Sequence, residues 1–197
     1  MKITGAEFKN LIKENPSWCL DIKEPLKVTT FVSLICSNIT HLSPLITFSG
    51  QENNGWAANF YGCENLEIAT GKFNGVAIFR NSGIKKIENL TVTKTNEEKI
   101  SATFSHCQNL KVATGTYKGF VDFESSGIET IKGLIIENTT TKKHRARFLN
   151  CPIKYIPEEY RREDFIFERV VIENSIREDI IKEAINKIKS ETNNIVI

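Results

Sequence analysis

Apolar positions along the chain keep a long beat. FYGCENLEIATG, beginning at Phe60, returns 44 residues later as FSHCQNLKVATG, beginning at Phe104. The same shift sets Ala58 on Ala102, Phe79 on Phe123, Ile84 on Ile128, Ile87 on Ile131 and Leu90 on Leu134. Self-similarity at a fixed period marks stacked repeats, in which each unit buries its apolar stripe only against its neighbours. Each unit is itself double. Its first half reads F-x-x-C-x-N-L-x-x-A-T-G and its second, from Phe79, reads F-x-x-S-G-I-x-x-I-x-x-L. The small anchor residues Cys63, Ser82, Cys107, Ser126 and Cys151 are spaced 19, 25, 19 and 25 residues apart, a mean of 22.

The beat extends outward. CSNITHLSPL (Cys36 to Leu45) reads as a second half, with Ser37, Ile39, Leu42 and Leu45 on the pattern, and WCLDI (Trp18 to Ile22) as a worn first coil anchored at Cys19. CPIKYI (Cys151 to Ile156) ends the series, so six or seven coils span residues 18–156. A phenylalanine in every coil predicts an internal aromatic ladder. Cys and Ser suit a tight inner corner, and the glycines of ATG and SGI suit turns with positive φ. The longer step inserts GQENNG (Gly50 to Gly55), TNEEK (Thr95 to Lys99) and TTTKKHR (Thr139 to Arg145), which are expected on one edge.

Both ends carry helix signals. Thr4-x-x-Glu7 ahead of Phe8, Leu11 and Ile12 is a capping box, and Pro16 ends that helix, giving an N-terminal cap over 1–17. Ser175-x-x-Glu178 opens a second helix with Ile181, Ile185 and Ile188 at helical spacing. With FIFERVVIE, which suits a strand, it forms the C-terminal cap over 157–197 of a single domain.

Composition narrows the function. A formal charge of +2 gives no strong field for nucleic acid or lipid. The nearest basic cluster is KKHRAR: Lys142, Lys143, His144, Arg145 and Arg147. No secretory core and no membrane-spanning run occurs, so a cytoplasmic protein is expected. Five cysteines without a CxxC pair indicate reduced thiols rather than disulfides or zinc. No phosphate loop, dinucleotide fingerprint, zinc-protease or nucleophile-elbow motif is present, and no cofactor is expected. His106 precedes Cys107, but neighbours on a strand point to opposite faces, so no Cys–His couple forms. Catalysis is not expected.

ANFYGCENL (Ala58 to Leu66) and ATFSHCQNL (Ala102 to Leu110) resemble the BspA-type leucine-rich repeats, whose units carry A-F-x-x-C-x-x-L followed by I-x-I-P. Here ATG replaces the I-x-I-P ending. The resemblance implies a leucine-rich-repeat-like solenoid serving as an interaction surface and implies no catalytic residues. The expectation is therefore a mainly β solenoid, either a leucine-rich horseshoe or a right-handed parallel β-helix, that binds a protein partner without catalysis. A carbohydrate- or ligand-binding β-helix is the alternative, with Trp56 and Tyr61 as groove aromatics. A nucleic-acid-associated solenoid using the KKHRAR edge is the third.

Overall fold

In the computed structural model of the chain the described residues are 1–50, 54–98, 100–137, 146–154, 156 and, for the backbone, 165–166. The expected C-terminal helix, most of the segment before it, and Lys142, Lys143, His144 and Arg145 lie outside them.

The described chain forms two seven-stranded sheets in which every pairing is parallel. The first contains, in spatial order, β1 (Lys2–Ile3), β2 (Leu26–Val28), β4 (Ile46–Phe48), β6 (Ile68–Phe73), β8 (Lys86–Val92), β10 (Gly115–Tyr117) and β12 (Leu134–Ile136). The second runs β3 (Val32–Ser33), β5 (Trp56–Asn59), β7 (Val76–Ile78), β9 (Ile100–Thr103), β11 (Phe120–Asp122), β13 (Ala146–Arg147) and β14 (Phe165–Ile166). From β2 to β13 the chain alternates between sheets, so each strand lies beside the one two elements earlier. β14 places part of the FIFERVVIE segment in the second sheet, as its composition suggested.

One hydrophobic cluster fills the interior. The phenylalanines of the repeat stack face to face within it: Phe60 on Phe79, Phe79 on Phe104, Phe104 on Phe123 and Phe123 on Phe148, with centroids 5.1–5.3 Å apart and planes within 10°. All five are fully buried. The anchors stack beside them. Thiols of Cys63, Cys107 and Cys151 donate to the carbonyls of Leu34, Phe79 and Phe123 at 2.9–3.0 Å, and approach the hydroxyls of Ser37, Ser82 and Ser126 at 3.4–3.5 Å. Alternation of Cys and Ser thus gives each of these three thiols a polar neighbour in the adjoining coil.

Helix α1 (Gly5–Glu14) closes the N-terminal end with the expected capping box: Thr4 accepts from the Glu7 amide while Glu7 accepts from the Thr4 amide. Its Phe8 packs edge-on against Phe48 and Trp18, plugging the first opening of the core.

Four expectations are corrected. Trp18–Asp21 is a 3-10 helix rather than a first coil of the repeat, and Cys19, though buried, is off the anchor. The Thr40 amide donates to Pro16 and the Glu67 amide to Thr40, so Pro16 already lies past the anchor level and Cys19 further still. Leu45 is exposed, and Ile46, one residue later, takes the inward place. Gly83 and Gly127 of the SGI segments do not need positive φ. They are small because a Cβ there would lie 1.8 Å from the Glu64 carbonyl oxygen and 2.0 Å from that of Gln108. Positive φ falls instead on Gly71 and Gly115 of ATG and on the residue before each anchor, which is Cys36, Gly62, Asn81, His106, Ser125 or Asn150. His106 therefore points away from Cys107 because it sits in a left-handed turn, not because it alternates on a strand.

Candidate functional site

The outer faces of the two sheets differ in chemistry. Across the first, register sets Lys2, Lys27, Thr47, Lys72, Thr91 and Thr116 in one polar row. Across the second, the corresponding row is Ser33, Asn59, Ile78, Thr103, Asp122 and Arg147. Beside that row stand Trp56, Ile100 and Phe120, all half-buried although they face outward. One-residue irregularities at Trp56/Ala58 and at Phe120/Val121 interrupt the pairing there. A bulge of this kind re-aims the side chains beside it.

Asn59, Ile78, Thr103, Asp122 and Arg147 of that row, with Trp56, Ile100 and Phe120 beside it and with Tyr61, Arg80 and Ser105, line a shallow concavity of about 450 Å³. Trp56 is held by the Asn54 side chain, which accepts from its amide at 3.2 Å, and its ring leans on Phe31 with centroids 6.5 Å apart. Tyr61 is exposed; its hydroxyl accepts from the Asn81 amide group at 3.2 Å. Buried Asn59 accepts from the Tyr61 amide at 2.9 Å, fixing the turn that carries the ring. At the far end Arg147 donates to both carboxylate oxygens of Asp122, at 3.0 and 2.7 Å, and lies 2.6 Å from Glu124.

Of the residues expected from sequence, the structure brings Trp56, Tyr61 and Arg147 into one concavity. The 44-residue shift carried a signal for the others, because it sets Ile100 on Trp56 and Phe120 on Val76. The inserted segments bear on the same place: GQENNG and TNEEK precede β5 and β9 in the second sheet. A Cβ at Gly55 would lie 3.1 Å from the Cα of Asn96, so the described parts of these insertions stack on one another beside the concavity.

Several charges elsewhere are matched across coils. Lys85 bonds to Glu67 at 2.6 Å, and Glu129 receives Lys111 and Lys154 at 3.0 and 2.8 Å. Hydrogen bonds from Lys154 and then Lys111 hold the Glu129 carboxyl below the usual carboxylate range. Burial pushes the Cys63, Cys107 and Cys151 thiols up. Among the described residues no group of three or more His, Cys, Asp or Glu is placed to hold a metal ion, and no helix is long and apolar enough to cross a membrane. The sequence matches no family model, and no curated protein and no solved structure matches it.

Proposed function

We propose that the chain is a non-catalytic protein-interaction module. On this reading the two sheets are faces of a β-solenoid with six or seven coils averaging about 22 residues, capped by helices. Strands on both sides of each described repeat favour the straighter β-helix over a leucine-rich horseshoe. The resemblance to BspA-type repeats then reflects a shared need for an aromatic and a small anchor in every coil.

The observation that carries the reading is the cluster of Trp56, Ile78, Ile100 and Phe120 on an outer sheet face whose inner side is already fully packed. Outward aromatics are not required by the core, and rimmed apolar patches of this kind mark interaction sites. Trp, Tyr and Arg, the residue types enriched at binding hot spots, are all present there. A pull-down compared between wild type and Phe120→Ser tests it. A protein retained at moderate salt by wild type and lost from Phe120→Ser supports the module, whereas retention equal in both contradicts it.

A glycan is the second reading, favoured by Trp56, Tyr61 and Phe120 lining one concavity. Binding on a glycan array that is lost on Trp56→Ala supports it over a protein partner.

A further inference from the structure

The charges at the concavity are unevenly paired. Its lining carboxylate, Asp122, and the neighbouring Glu124 are both engaged by Arg147. Arg80 also lines it, is exposed, and among the described residues has no ion pair. Some cations beyond the concavity, among them Lys85, Lys111 and Lys154, do find carboxylates in the adjoining coil. Backbone register sets Arg80 between Tyr61 and Ser105: the Gly62 amide donates to the Arg80 carbonyl and the Asn81 amide to that of Ser105. Ile78, which ends β7 two residues earlier, lines the same concavity. The guanidinium therefore stands beside an apolar floor and a tyrosine, and among the described residues no carboxylate pairs with it.

Resting on the interaction reading above, the geometry points to one kind of occupant: an extended acidic segment of a partner protein. Its apolar side chains lie on Trp56, Ile78 and Phe120, and one of its carboxylates takes the Arg80 guanidinium in a two-pronged hydrogen-bonded pair. From β5 to β13 the concavity crosses four strand steps of about 4.8 Å, or about 19 Å, which about six extended residues span. A phosphate backbone fits less well, because its affinity comes from several cations acting together and, among the described residues, the concavity presents one uncompensated cation. A neutral glycan has no use for that cation.

The test selects linear peptides from a phage-displayed random library on the full chain. Affinities of the synthesised winners are then measured for wild type, Arg80→Glu, Arg80→Lys and Phe120→Ser, with circular dichroism to verify folding. The expected winners place Asp or Glu beside aliphatic or aromatic residues. They are expected to weaken about tenfold on Arg80→Glu, about threefold on Arg80→Lys, where the fork is lost, and about tenfold or more on Phe120→Ser. Winners without acidic residues, unaffected by Arg80→Glu but lost on Phe120→Ser, overturn the acidic-segment inference and leave the interaction face standing. Winners indifferent to both positions, or none above background, overturn both.

Discussion

The ring of Phe104 lies 5.1 Å from that of Phe79 and is tilted from it by only 5°, although 25 residues separate them. Phe123 continues the stack on the other side at 5.3 Å. Removing the middle ring opens a void that neighbours held in register cannot collapse to fill. Phe104→Ala is expected to cost about 3–5 kcal/mol, read from the urea unfolding midpoint. A loss below about 1 kcal/mol, the range of ordinary surface changes, contradicts the ladder.

Thiol reactivity separates the anchors from the turn that precedes them. Cys36 is exposed, whereas Cys19, Cys63, Cys107 and Cys151 are buried. Burial pushes Cys19 up to about 12, from an ordinary 9.0, and raises the other three. A thiol reagent reacts through the thiolate, so position and titration act together. One fast equivalent, assigned to Cys36 by its loss in Cys36→Ser, is expected in the folded protein, with four more only in denaturant. Several fast thiols contradict the packing.

Those raised thiols also set a pH dependence. A group that holds its proton more tightly when folded contributes stability fully below its unfolded pKa and loses it as pH rises toward the folded value. Cys19 therefore stabilises the fold below about pH 9 and does so progressively less toward about pH 12, and the other buried thiols act in the same direction. Tyr117, also pushed up by burial, reinforces the trend. The urea midpoint is expected to fall between about pH 8 and about pH 10.5; an unchanged midpoint contradicts buried neutral thiols.

Glycines at different places in the repeat have different reasons to be small. Gly83→Ala drives a Cβ into the Glu64 carbonyl of the previous coil and is expected to cost about 3 kcal/mol, at the upper end of overpacking effects. Gly133 has φ +86 but no atom nearer than 3.8 Å, so Gly133→Ala meets only backbone strain of about 1–2 kcal/mol. Paired unfolding curves give the order, and equal losses contradict close coil contact as the cause at Gly83.

The inner register was legible because it repeats. Phe60, Cys63 and Leu66 return as Phe104, Cys107 and Leu110, and all six are buried. Where one residue is inserted, as at Leu45 and Ile46, the pattern slipped, because counting cannot place an irregularity. The left-handed turn before each anchor was hidden too. Cys, Gly, Asn, His and Ser all occupy it, so its identity lies in backbone angles rather than residue type. Trp56 and Tyr61 were visible as candidates. The concavity itself was legible only in part: the 44-residue shift sets Ile100 on Trp56 and Phe120 on Val76, but the bulges beside Trp56 and Phe120 are not encoded in spacing.

A photo-crosslinking amino acid placed at Ile78, in the middle of the second sheet's outer row, or at Thr91, on the outer face of the first, tests the central claim most directly. The account expects a discrete protein adduct from Ile78, abolished by Phe120→Ser, and none from Thr91. An adduct from Thr91 alone, or an Ile78 adduct indifferent to Phe120, would contradict it.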